Sequence, residues 1–233
     1  MKKKILDLGS GDGFKTSWLS KRNDVIGIDL SLNNIELARK RFPRLDFRIM
    51  DATSLKFEQD FFDQVFAFDI LEHVDNLEAV IKEIKRVLKP EGELFVNIPY
   101  WKSEQWLNKV RPTYLEDMHH VRIFVENEIE DLFRATGFIL AKKQRCGFLD
   151  HIFLYYMCKR KIKSNTQLSI GHWRDNWKTR ILFISTFLFD KQLFRTPLKY
   201  CPVWVITVPI GIIINSAGNI FLPKSLFYKF TKT

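Results

Sequence analysis

Ile5-Leu6-Asp7-Leu8-Gly9-Ser10-Gly11-Asp12-Gly13 is the stretch on which the fold turns. A short apolar strand, Ile5–Leu8, runs into three glycines at alternate positions, and Phe14–Lys21 then reads as a helix. Glycine permits both a sharp turn and close backbone approach, so such a loop brings N–H groups and a helix N-terminus to a ligand. A plain strand-to-helix turn would also explain the glycines, so the loop alone is weak evidence. The dinucleotide fingerprint G-x-G-x-x-G would need its third glycine at position 14, where Phe14 stands. The spacing here is Asp7-x-Gly9-x-Gly11-x-Gly13, with an acid ahead of the first glycine.

Working outward, short apolar strands alternate with helical stretches. Asp24–Asp29 reads as a second strand, and Leu32–Arg41 as a helix capped by Ser31. Leu45–Met50 and Phe62–Asp69 follow as strands, the latter apolar on both faces as a central parallel strand requires. Leu77, Val80, Ile81, Ile84, Val87 and Leu88 recur at helical spacing over 76–88, and Lys89-Pro90-Glu91-Gly92 ends that helix. Glu93–Ile98 is a strand, Glu126–Thr136 a helix closed by Gly137, and Phe138–Cys146 with Ile152–Lys161 a final pair of strands. The pattern predicts an α/β fold, a doubly wound, mostly parallel seven-stranded sheet with one antiparallel edge strand. Residues 1–161 make this domain, and residues 162–233 a basic, apolar, helical C-terminal extension.

With 233 residues, 46% of them hydrophobic, the chain can bury a large core, which excludes whole-chain disorder. The formal charge of +10 is unevenly spread: residues 1–150 carry −1 and residues 151–233 carry +11. A neutral domain joined to a basic segment points to an anionic partner, either phosphate backbone or membrane surface. Cys146, Cys158 and Cys201 have no metal-ligand spacing, so neither a disulfide framework nor a metal site is expected. Asp7 interrupts the start Met-Lys-Lys-Lys-Ile-Leu too early for a signal peptide, which leaves a cytoplasmic setting as the expectation.

The extension holds 24 uncharged residues from Tyr200 to Pro223, preceded by an apolar run over Ile181–Phe189. About 20 apolar residues suffice to span a bilayer. Pro202, Pro209, Gly211, Asn215, Gly218 and Asn219 interrupt the run, however. A segment lying in or dipping into the cytoplasmic face, with residues 180–233 on the membrane surface, fits better than a straight span. A buried helix or an oligomer interface is the alternative, and the sequence does not specify an oligomeric state.

The motif set resembles the Rossmann-like, or class I, S-adenosylmethionine-dependent methyltransferases. Several of its segments are similar to those of the subgroup that contains the ubiquinone and menaquinone enzymes. Gly27-Ile28-Asp29-Leu30-Ser31 is similar to the second-strand motif, which implies that Asp29 receives the ribose hydroxyls and Leu30 packs on the adenine. Asp51-Ala52 resembles the adenine-recognising pair, and Phe62–Val74, with Phe68 at the cofactor, the fourth-strand signature. Leu88–Leu94, His120–Phe124 and Ala135–Phe138 match later segments of the same subgroup. The resemblance implies S-adenosylmethionine as cofactor, held by Asp7, Gly9, Gly11, Gly13, Asp29, Leu30, Asp51, Ala52 and Phe68.

A sulfonium methyl is already activated, so the protein binds, excludes water and aligns, with a base only for an acceptor that must lose a proton. His73 and His120 are the candidate bases, the latter neighboured by His119. Asn97-Ile98-Pro99-Tyr100 is read as a strand-end turn, because it follows the fifth strand rather than the fourth. Tyr100 and Trp101 are candidate pocket aromatics. The expected acceptor is a small or lipid-associated molecule: a quinone precursor, a lipid or a lipid-linked sugar. An RNA methyltransferase using the basic segment is the second reading, with nucleic acid disfavoured because the apolar runs are unlike a solvated phosphate-binding surface. A non-catalytic membrane-anchored scaffold is the third.

Overall fold

The computed structural model of the chain describes residues 2–146, 219–220 and 223–233. Its strands form one seven-stranded sheet in the order β3-β2-β1-β4-β5-β7-β6. These are β1 (Lys4–Leu8), β2 (Asp24–Asp29), β3 (Asp46–Ile49), β4 (Phe62–Phe68), β5 (Leu88–Pro99), β6 (Phe138–Cys146) and β7 (Ser225–Lys232). The helices are α1 (Phe14–Leu19), α2 (Leu32–Arg41), α3 (Leu77–Val87), α4 (Trp101–Val110), α5 (Tyr114–Met118) and α6 (Glu128–Ala135). From β1 to β5 the alternation read from the sequence is the alternation observed, and the sheet is doubly wound and mostly parallel.

The chain divides into two compact units, residues 1–98, 120–144 and 227–233 in one and residues 99–119 and 145–226 in the other. In the first, β1 is the central strand. Leu8 pairs with Ile28 of β2 on one side and with Ala67 of β4 on the other, both in parallel. Ile5, Leu6 and Leu8 are buried, as a strand covered on both faces demands. In α3 the side chain of Asn76 accepts the Ala79 amide at 3.1 Å, and Leu77, Val80, Ile81, Ile84 and Val87 are buried along one stripe. The chain passes directly from α3 into β5, because Lys89–Gly92 is an irregularity inside that strand. Phe62 pairs with Leu88, but Gln64 pairs with Glu93, and Glu91 takes φ 60°.

The seventh strand is drawn from the end of the chain. Ile152–Lys161, expected as its location, lies outside the described residues, as do 162–218 of the expected extension. Beside β5 stands Ser225–Lys232, so the sheet reaches into the stretch assigned to that extension. β7 runs opposite to its neighbours. The Tyr100 amide donates to Lys224 O at 2.8 Å while Lys232 Nζ donates to Leu88 O at 2.5 Å. Likewise Cys146 Sγ lies 3.2 Å from Ser225 Oγ while Thr233 Oγ1 donates to Gly137 O at 2.6 Å. The period-two alternation explains the strand: Leu226, Tyr228 and Phe230 are buried, with lysines between. Phe230 packs on Phe133 of α6 at 4.8 Å between ring centres. Lys229, Gln64 and Lys3 all meet the Glu93 carboxylate; burial opposes its charge, but those bonds prevail and hold its pKa down to about 2.

In the second unit, Trp101–Val110 and Tyr114–Met118, a stretch the sequence presents as a polar and aromatic connection, form helices. Leu107 and Tyr114 are buried against Val110, Leu115 and Met118, and Tyr114 Oη donates to Glu104 Oε1 at 3.0 Å. Arg145 lies over the Tyr100 ring at 5.6 Å. Among the described residues, no helix is long and apolar enough to cross a membrane.

Phe230 is fully buried. Phe230→Ala is expected to lower unfolding free energy by about 3–5 kcal/mol, read from denaturant midpoints of the full chain. A loss below 1 kcal/mol would mean that β7 is not part of the core.

Candidate functional site

The C-terminal ends of β1, β2, β3 and β4 lie side by side in the first unit, the place where open α/β sheets bind their ligands. Asp7 is the last acid of β1 before the loop, and it is buried. Thr16 Oγ1 of α1 donates to its Oδ2 at 2.6 Å, which ties helix to strand, while Oδ1 is buried without a hydrogen-bond partner. Burial pushes the Asp7 carboxyl up from the usual range, against the opposing charge of Lys15 and the Thr16 bond.

The loop itself needs its glycines for different reasons. Gly9, Gly11 and Gly13 have φ of 72°, 53° and 81°, in the left-handed region. A Cβ on Gly13 would come within 2.6 Å of Phe47, and one on Gly9 within 2.8 Å of Ile70, so those two are packed closed. A Cβ on Gly11 would meet nothing within 4 Å, so that glycine borders open space above the strand ends. Asp12 anchors the loop from below: its carboxylate pairs with Arg41 at the end of α2 and accepts the Phe14 amide at 3.3 Å.

Asp29 ends β2 and reaches across to the loop. Its Oδ2 accepts the Gly11 amide at 2.9 Å, and its Oδ1 accepts the Ser31 amide at 2.9 Å and Asn34 Nδ2 at 3.2 Å. An ionised carboxylate offers about four lone-pair sites, so Asp29 both holds the loop and retains room for a ligand hydroxyl. Leu30 beside it is 71% exposed, an unusual position for leucine in a closed core and a suitable one for a flat apolar ligand face. On the next strand, Asp29 pairs with Ile49, and the Met50 amide donates to Asp29 O at 3.1 Å, which sets Asp51 and Ala52 just beyond. Asp51 is exposed and accepts the Thr53 amide at 2.8 Å.

Phe68 closes β4 next to the loop, and Asp69 after it has φ 52°. The chain then turns through a 3-10 turn, Leu71–His73. The segment carrying His120 docks on that turn. Val121 donates its amide to Glu72 O at 3.0 Å, and Arg122 donates to the Val74 and Asp75 carbonyls, each at 2.8 Å. His73 and His120 consequently stand edge to face, 4.8 Å between ring centres. The buried Glu72 adds a carboxylate, and the ligand atoms of these three residues lie within 4.8 Å of one another. Two imidazoles and a carboxylate at this spacing can pass a proton, or hold a divalent ion where the sequence suggested no metal site. His119 is not part of the cluster; it caps α5 in the second unit with φ 58°.

The sequence-expected residues Asp7, Gly9, Gly11, Gly13, Asp29, Leu30, Asp51, Ala52 and Phe68 therefore all fall at the ends of adjacent strands. Thr16, Asn34 and Glu72 were not among the expected residues. Thr16 and Asn34 act through Asp7 and Asp29, and Glu72 follows from the contact between two segments distant in sequence. Tyr100 and Trp101, the candidate pocket aromatics, belong to the second unit.

The family model described as "Methyltransferase domain" matches residues 6–96, the span that contains every one of the proposed cofactor residues. Over 102 residues, 40% of this chain, the sequence is 41% identical to the mitochondrial ubiquinone biosynthesis O-methyltransferase of Rattus norvegicus, and covers 30% of it. Over 144 residues, 58% of this chain, it is 31% identical to phosphoethanolamine N-methyltransferase 2 of Caenorhabditis elegans, and covers 32% of that protein. The chain thus spans about a third of the length of these curated relatives. A solved S-adenosylmethionine-dependent methyltransferase of Methanosarcina mazei superposes with a TM-score of 0.53 at 25% identity, covering 62% of this chain and 83% of that one. Residues 6–96 thus form a methyltransferase domain, in a fold of the Rossmann-like, S-adenosylmethionine-dependent type.

The unpartnered Asp7 oxygen and the open space at Gly11 fit a cofactor with a cationic, amino-acid-bearing end. Gly11→Ala should cost only the roughly 1–2 kcal/mol of a side chain in the left-handed region, less than Gly13→Ala, yet lose at least about tenfold in affinity for S-adenosylhomocysteine, since its methyl enters that space. Gly13→Ala should lower the melting temperature further, because its methyl also meets Phe47. Calorimetric titration and thermal melts of the two variants separate these outcomes, and equal behaviour would contradict the geometry. Asp7→Asn has a further consequence. A carboxyl whose folded pKa is raised stabilises only while protonated, and that contribution is lost as pH rises through the folded value. At neutral pH Asp7→Asn should therefore melt higher than the parent while binding cofactor more weakly, with the stability gain shrinking as pH falls from the folded carboxyl pKa towards the unfolded value and absent below it.

Proposed function

We propose that this protein transfers the methyl group of S-adenosylmethionine to a hydroxyl of a small or lipid-associated acceptor, such as a quinone precursor, a lipid or a lipid-linked sugar. The observation that carries the reading is the His73–His120 pair beside Glu72, at the end of the strand next to the loop. A hydroxyl becomes a good nucleophile only as its proton leaves, and neutral imidazole backed by a carboxylate is suited to take it. In the cofactor reading, Asp29 takes a ribose hydroxyl, Leu30 and Ala52 line the adenine, Asp51 accepts its exocyclic amine, and Gly9 and Gly11 face the chain that ends in the sulfonium. The cofactor supplies the activated methyl. The residues of this chain align it with the acceptor and receive the proton, so that C–O bond formation is matched by C–S bond cleavage.

The similarity to a ubiquinone-pathway O-methyltransferase supports the acceptor class, as does the basic, apolar sequence at 151–224, suited to an anionic membrane surface on the cytoplasmic side. Residues 151–218, 221 and 222 of that sequence lie outside the described residues.

Incubation of the full chain with methyl-labelled cofactor and separate lipid-extract, phenolic and RNA fractions tests the reading. Label is expected in the organic-soluble fractions; label confined to RNA would overturn it. His73→Ala and His120→Ala should each lower kcat by about 10²–10⁴-fold with S-adenosylhomocysteine affinity unchanged. Full activity in both variants would remove the imidazoles from the chemistry.

A further inference from the structure

Lys15, on the first turn after the glycine loop, is a cation whose place no motif accounts for. Its Nζ donates to the Phe68 carbonyl at 3.0 Å and lies 3.8 Å from Asp69 Oδ2 and 5.4 Å from the Phe68 ring centre. Its charge also reaches Asp7, where it opposes the effect of burial. One ammonium is thus set among a carbonyl and two carboxylates at the junction of β1, α1 and β4. The side chain is 33% exposed and that of Asp69 46%, so this pair is weakly held, and Asp69, which also accepts Asn97 Nδ2 at 2.8 Å, stays solvated and hydrogen-bonded when the ammonium is drawn a short way from it.

The amino-acid end of S-adenosylmethionine carries both an α-ammonium and an α-carboxylate. Brought to the strand ends, its carboxylate would face Asp7 and Asp69 and be repelled unless a cation stood between. Its ammonium, in contrast, finds in the Phe68 carbonyl the same acceptor that Lys15 now uses. Resting on the cofactor reading above, we propose that Lys15 anchors the α-carboxylate of the cofactor. In doing so it gives up the Phe68 carbonyl to the cofactor's own α-ammonium. The exchange keeps one cation on that carbonyl throughout and adds one charge-assisted pair between Lys15 and the ligand. Lys15 then makes the site selective for a nucleoside that carries an amino-acid tail.

Two ligands that differ in that tail provide the test. S-adenosylhomocysteine has the amino-acid end, whereas 5′-methylthioadenosine has the same nucleoside and sulfur but stops at a methyl. Calorimetric titration of the full chain with both is expected to show Lys15→Ala weakening S-adenosylhomocysteine by about tenfold or more. The affinity for 5′-methylthioadenosine should stay within about twofold, and Lys15→Arg should restore most of the loss. Equal weakening of both ligands would assign Lys15 a purely structural role, and no weakening of either would leave the carboxylate to another group. Each result overturns the proposal while the cofactor reading stands. Should the parent chain bind neither ligand, the cofactor reading itself fails and takes the Lys15 assignment with it.

Discussion

The Asp29 carboxylate joins the end of β2 to the glycine loop through the Gly11 amide, and the rest of the site hangs on that bond. Three glycines in the left-handed region have little of their own to hold them in one shape. What fixes them is a set of carboxylates placed around the turn. Asp29 grips it from β2, Asp12 ties it to Arg41 of α2, and Asp7 beneath it secures α1 through Thr16. The same groups leave an open face at Gly11 and a buried oxygen at Asp7. Rigidity and vacancy are therefore built by one small network, and a ligand arriving there meets groups already oriented.

Much of this is legible in the amino-acid sequence because it is local. The loop spacing, the acids at the ends of successive strands and the stripe of α3 all depend on residues within a turn or a strand of one another. The central strand β1 announces itself because both of its faces are buried and its apolar residues run on. What the sequence conceals is long-range. Nothing near Ser225 says that it will lie beside Cys146, and the alternation of Leu226, Tyr228 and Phe230 follows an apolar run that masks it. The helices α4 and α5 are hidden for a different reason: their buried faces rest on a few residues, Leu107 and Tyr114 among them, in a stretch dominated by polar side chains.

The two histidines show the same division. Each is readable as a candidate base, but their partnership is not, since it arises when the Val121 amide pairs with the Glu72 carbonyl. That backbone bond and the two carbonyls held by Arg122 lock the late segment onto the 3-10 turn. A pair of imidazoles positioned by backbone contacts depends little on the flexibility of the intervening chain. Asp7 illustrates the opposite trade, a charge kept in a place where burial disfavours it. Such a residue weakens the folded state and is kept where a function calls for it.

The adjacency of β6 and β7 has a topological consequence. Cys146 ends one strand, Ser225 begins the next, and the two side chains touch, so the stretch of 78 residues between them starts and finishes at a single point of the sheet. A loop with both feet planted together obeys a parity rule: whatever boundary it crosses outward it must cross again to return. The connectivity of the sheet therefore requires that any boundary crossed after Cys146 be crossed an even number of times before Ser225.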